Sequence, residues 1–158
     1  MPNGWAQYAA DLYPERMRPA CSIHPYRPDA VQELERCAQA GARIVKWLPS
    51  AMGIDPSAPE CLPFYAALVA NDMTLLVHGG VEAAVGGHAE AHLNNPLLLR
   101  HPLRAGVTVV VAHCAPGEDG VDLDDPERPR IHNTRLFLRL MDEPEWEGRL
   151  FGEISGVV

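Results

Sequence analysis

The chain has 158 residues, 47% of them hydrophobic and 22% charged, with a net charge of −8. Those values suit a single soluble globular domain spanning residues 1–158, long enough to bury a core. The acidic balance excludes a nucleic-acid partner, because phosphates select basic surfaces, and no stretch approaches the ~20 apolar residues of a membrane span.

The predicted elements alternate along the chain. Trp5, Tyr8, Ala9 and Leu12 recur at helical spacing, so residues 4–17 are expected to form an amphipathic helix burying those side chains. "ACSIH" (20–24) reads as a short strand. Asp29 is placed to cap the next helix, with Gln32 completing a capping box, Val31, Leu34 and Ala38 buried, and Gly41 as the stop. "ARIVKWL" (42–48) is a second strand, followed by a helix at 60–70. "MTLLVH" (73–78) is the third strand. Asn95 and Pro96 start a helix that ends before Gly106. "VTVVVAH" (107–113) is the fourth strand, Asn133 caps a helix carrying Leu136, Phe137, Leu140 and Met141, and "RLFGEIS" (149–155) is the fifth strand.

The strands are continuous apolar runs, the pattern of strands buried on both faces of a parallel sheet. Strand–helix alternation at this spacing makes βαβ units, so the class is α/β with about five such units. Either an open doubly wound sheet or a closed barrel satisfies the pattern. Helix-to-strand connections are short, whereas 49–59, 79–94 and 114–132 are long. In both architectures ligands bind at the carboxyl ends of the strands, and the elaboration sits there.

The polar residues at those ends are His24, Lys46, His78, His113, Cys114, Glu153 and Ser155. "LLVHGG" and "VVVAHCAPG" end alike, each with an apolar run closed by histidine. Two such imidazoles at one mouth suit metal ligation, or ligation beside a proton-transferring base. Gly79 and Gly80 are expected to let the chain turn sharply and leave room for a ligand. Lys46 is the single lysine beside twelve arginines. Arginine keeps its proton, whereas lysine shifts its pKa and forms covalent adducts, so its place at a strand end makes it a candidate; chance survival in an arginine-rich composition is the alternative. Glu153 is read as a carboxylate that supports a histidine, contacts a metal or satisfies backbone donors. "HAEAH" (88–92) and the acidic "GEDGVDLDDPE" are read as a solvated loop and a solvated lid. The four cysteines fit no metal or disulfide spacing, so they read as buried free thiols of a cytoplasmic protein, and the N-terminus has no signal-peptide pattern.

"SIHPYRPDA", "GARIVKWLPSAMGIDP", "LLVHGG", "VVVAHCA" and "LFGEIS" together resemble the amidohydrolase-related (amidohydrolase 2) group of metal-dependent hydrolases. The resemblance implies a (β/α)8 TIM-barrel fold and a divalent metal, most often zinc, at the strand ends. It makes His78, ending the fifth barrel strand, a metal ligand. His113, ending the sixth, becomes a ligand or the catalytic acid/base, and Lys46, ending the fourth, a catalytic or carboxylated lysine. His24, Arg27 and Glu153 are weaker substrate-binding candidates. The implied reaction is attack of a metal-activated water on an amide, ester or lactone-type carbonyl of a small molecule; non-oxidative decarboxylation of an aromatic or conjugated acid is the rival within the same group. The group's first-strand HxH and eighth-strand Asp have no match here, and a whole barrel takes roughly 250 residues. The expectation is therefore an incomplete barrel, a partial sequence covering strands three to seven and inactive by itself. Its open sheet edges leave it available for homo-oligomerisation, or as a truncated binding module.

Overall fold

The structure, a computed structural model, describes residues 3–80 and 88–155. In chain order it contains α1 (Asn3–Leu12), β1 (Ala20–Cys21), α2 (Ala30–Gln39), β2 (Ile44–Trp47), α3 (Pro49–Met52), α4 (Leu62–Ala70), β3 (Thr74–His78), α5 (Arg100–Arg104), β4 (Val109–Ala112), β5 (Asp119–Val121), β6 (Arg130–His132), α6 (Asn133–Met141) and β7 (Leu150–Gly152). Single 3-10 turns join several of these, at Pro59–Cys61, Pro96–Leu99 and Pro144–Trp146.

The five expected strands all form, and every neighbouring pair is parallel in the order β1-β2-β3-β4-β7. A doubly wound sheet reverses its strand order at a switch point. Here each new strand is added beside the last one, as a (β/α)8 barrel is built. The fold is therefore of the barrel type but incomplete: among the described residues the sheet does not close.

Burial shows which face the helices cover. Val45 and Trp47, Leu75 and Val77, and Val109 and Val111 are all buried, packed with Leu34 of α2, Phe64 and Leu68 of α4, Leu103 of α5 and Phe137 of α6. Trp47 stacks on Phe64 at 5.4 Å and donates its indole N–H to the Ile23 carbonyl at 2.9 Å, so the largest core side chain is also satisfied. The opposite face follows by alternation and register. Lys46, Leu76, Val110 and Phe151 form one row across it, and none of the four is buried. The strands are thus not buried on both faces as expected. Their apolar residues are continuous because both faces suit burial, yet the described chain covers only one.

Other expectations are corrected for similar reasons. α1 stops at Leu12 and buries only Ala10; Trp5, Tyr8 and Leu12 face outward, at 61%, 57% and 55% exposed. β1 is two residues long. Asp29 occupies the N-cap position of α2 without capping by its side chain, because its carboxylate accepts a bidentate pair from Arg27 at 2.8 and 2.6 Å. Asn95 does cap, accepting from Leu97 N–H at 3.0 Å, but it opens a 3-10 turn that runs into the short α5. α6 begins at Asn133 itself. The Asn133 side chain is buried, and a β-carbon at Gly120 would lie 2.3 Å from its Oδ1. "HAEAH" lies in 3-10 turns spanning His88–Asn94 with a kink at Glu90, and His92 is exposed. Residues 81–87 of the same connection fall outside those described.

The acidic segment folds into the β5–β6 hairpin rather than a free lid; arginines hold two of its carboxylates, Asp122 and Asp124, while Glu118, Asp119 and Glu127 are exposed as a solvated segment would be. Asp122 is 3% exposed and accepts two bonds from Arg139, at 2.6 and 2.7 Å. Asp124 takes a bidentate pair from Arg100 at 2.7 and 2.8 Å, and Arg100 also pairs with Glu143. The clamp ties the hairpin to α5 and α6. No helix among the described residues is long and apolar enough to cross a membrane.

Candidate active site

β3 delivers His78 to the carboxyl end of the sheet, and its register partner on β4 is Ala112. His113 follows directly. Its ring lies edge-on to that of His78, with centroids 5.6 Å apart and planes at 64°. His78 is 7% exposed, and the His113 side chain is 35% exposed. The two strand-end histidines predicted from sequence therefore do meet.

The reason for "HGG" lies across the sheet. His113, Cys114 and Ala115 all have left-handed backbones, with φ of 57°, 52° and 54°. Such a run costs about 1 kcal/mol or more at each non-glycine residue. It curls the chain over β3, so that a β-carbon on Gly79 would meet Ala115 Cβ and Val111 Cγ1 at 3.0 Å. One on Gly80 would lie 2.1 Å from the Pro116 carbonyl oxygen, and Gly80 itself has φ of 74°. The sharp turn expected at Gly80 is present. The space a side chain would need at Gly79 and Gly80 is taken by residues 111, 115 and 116, while Gly80 also borders the cavity described below.

Two further groups hold this corner. Glu153, the residue after β7, bonds in register to Val111 O through its own N–H at 2.9 Å. Its carboxylate accepts the His113 backbone N–H at 3.4 Å and lies 3.6 Å from His113 Nδ1. Hydrogen bonding from Ser155, first through its hydroxyl and then its N–H, holds the Glu153 carboxyl below the usual carboxylate range. On the other side, Asn94 is 4% exposed and makes three bonds. It accepts from Ser50 N–H at 3.0 Å and donates to Ser50 Oγ at 2.8 Å and to Gly80 O at 2.7 Å. It knits α3 to the turn behind His78. Sequence reasoning passed over Asn94; an asparagine pair closing a long connection was its only signal.

The remaining candidates are spread out. Lys46 pairs in register with Leu76, two residues before His78, so it shares the open face with His78 on the adjacent strand. His24 engages both ring nitrogens with backbone, Nε2 with Met52 O at 2.8 Å and Nδ1 with the Tyr26 N–H at 3.3 Å. Arg27 pairs with Asp29 on the surface. A cavity of ≈ 330 Å³ opens between the Asp55 loop, the 3-10 turns near His92 and the β5–β6 hairpin. Gly80 lines it, whereas neither His78 nor His113 does.

Parallel strands in chain order, with paired histidines at their carboxyl ends, agree with the comparison to known families. The Amidohydro_2 family model, described as amidohydrolase, matches residues 1–141. The chain belongs to the amidohydrolase family. No curated protein matches it significantly. Amidohydrolases generally use divalent metals, so the donors present must be weighed against one. A catalytic zinc site takes three protein ligands and an open position. Among the described residues no three His, Cys, Asp or Glu side chains are grouped to hold an ion.

Proposed function

We propose that the chain contributes the strand-end histidines of an amidohydrolase-superfamily enzyme, a metal-dependent hydrolase acting on an amide, ester or lactone-type carbonyl of a small molecule. The juxtaposition of His78 and His113 carries this reading. His78, nearly enclosed, suits a donor to a divalent cation, zinc being the first choice. His113, more open and hydrogen-bonded through Nδ1, suits proton transfer or a second donor. A catalytic zinc site would need at least one further donor beside these two. Lys46 faces the same side of the sheet and suits binding of an anionic group or participation in catalysis. Arg27 and His24 are weaker substrate contacts, each already engaged by protein groups. Four free cysteines agree with a reducing, cytoplasmic setting. The rival reaction at this corner is non-oxidative decarboxylation of an aromatic or conjugated acid.

The experiment is calorimetric titration of the purified chain with Zn²⁺, alongside His78→Ala and His113→Ala. Weak binding by the chain, abolished in His78→Ala, supports the reading. Unchanged affinity in His78→Ala overturns it.

A second reading has its own observation. Trp5, Tyr8 and Leu12 form an exposed stripe on α1, and Ile44 and Phe151 are exposed on the uncovered sheet face. Large apolar groups exposed together mark association surfaces. On this reading the chain is a binding or oligomerising module.

A further inference from the structure

We propose that Glu153 and Ser155 are positioning residues that hold His113 in its Nδ1–H tautomer, leaving Nε2 as the nitrogen that takes up a proton or a cation. The consequence for Nε2 rests on the proposed function; the tautomer itself rests on geometry alone.

His113 Nδ1 lies 2.5 Å from the Ser155 carbonyl oxygen. A carbonyl only accepts, so the ring nitrogen facing it must carry the hydrogen. A neutral imidazole has one N–H, which places the lone pair on Nε2. A histidine free in water favours the opposite tautomer, so the protein has to impose this one. The Ser155 hydroxyl, 3.3 Å from Nδ1, can accept from the same hydrogen.

One carboxylate fixes both sides of that contact. Glu153 Oε1 accepts the Ser155 N–H at 2.5 Å, and Oε2 accepts the His113 N–H at 3.4 Å. The acceptor carbonyl and the imidazole backbone are therefore tied to the same side chain, itself anchored on β4 through the Glu153 N–H. This explains how a left-handed run at residues 113–115 persists without glycine. Its first N–H points off the strand and finds a charged acceptor. A second-layer partner that sets the ring orientation and basicity of a histidine is a general device of polar active sites.

The test is NMR of the ¹⁵N-histidine-labelled chain in mildly alkaline buffer, where the ring ¹⁵N shifts identify the tautomer. The wild type is expected to show His113 protonated at Nδ1. Glu153→Ala is expected to move the population mainly to Nε2–H, and Glu153→Gln, which keeps an acceptor oxygen, to restore much of the Nδ1–H form. A wild-type ring already protonated at Nε2 overturns the proposal and needs no variant to fold. An unchanged tautomer in a folded Glu153→Ala also overturns it. Because this readout needs neither metal nor turnover, its failure is distinct from failure of the Zn²⁺ titration.

Discussion

A β-carbon at Gly80 would sit 2.1 Å from the carbonyl oxygen of Pro116, a residue on the next strand's loop. Gly53 has a similar left-handed backbone, φ 64° against 74°, but nothing lies within 4 Å of the β-carbon it lacks. The pair separates backbone strain from steric exclusion. Gly53→Ala carries the strain alone, about 1 kcal/mol. Gly80→Ala adds a backbone collision, for a total of about 3 kcal/mol or more. Urea unfolding of both variants checks this, and equal losses would refute the packing account of "HGG".

Asn94 offers a second probe of the same corner. Asn94→Ala leaves Ser50 N–H and Gly80 O without their buried partners, and the expected loss is about 2–3 kcal/mol. The His78 ring resonances are expected to shift in the same variant, because the turn behind it loosens. A stability change below 0.5 kcal/mol, a threshold of about the size of surface effects, would remove Asn94 from the corner.

The hairpin clamp gives a pH signature. Arg139, by hydrogen bonding, holds the Asp122 carboxyl down from 3.8 to about 2. A depressed folded value means the contribution is fully present above the unfolded value and is lost as pH falls through the folded one. Stability is therefore expected to drop between about pH 4 and pH 2, and Asp122→Asn is expected to flatten that part of the profile while costing about 1–2 kcal/mol at neutral pH. Chemical denaturation across that range decides the matter; a parallel profile in the variant contradicts the clamp.

The thiols differ in reach. Burial pushes Cys21 up to about 12 and Cys61 up to about 11, and raises Cys37 as well, while Cys114 is only partly buried. Thiolate, not thiol, reacts. An aromatic disulfide reagent is expected to label one thiol rapidly in the folded chain and the other three only on unfolding. Persistence of the fast phase in Cys114→Ser would show the assignment to be mistaken.

The α1 stripe bears on association. With Trp5 61% and Tyr8 57% exposed, replacing both by Ser is expected to leave unfolding free energy within about 0.5 kcal/mol. It is also expected to weaken self-association in sedimentation velocity. An unchanged sedimentation profile would count against the association reading.

By itself the sequence determined the order of the five parallel strands and the two histidines at neighbouring strand ends; it left an open sheet and a barrel both possible, and the observed strand order chose the barrel type. Period and turn chemistry are local, and His78 and His113 each close an apolar run that has only one use in a parallel sheet. It also carried the family resemblance that the match over residues 1–141 bears out. Tertiary structure alone decided which surfaces are covered. The periodicity of Trp5, Tyr8 and Leu12 describes a stripe but not what lies against it. Likewise Asp29 and Asn133 have capping chemistry, but the Asp29 carboxylate pairs with Arg27 and Asn133 is buried as the first residue of α6, packed close to Gly120. The role of "HGG" turned on a left-handed run 33 residues or more further on, which no local pattern announces. His113 meets its partners Glu153 and Ser155 at separations of 40 and 42 residues, a meeting created only by the parallel pairing of β4 with β7.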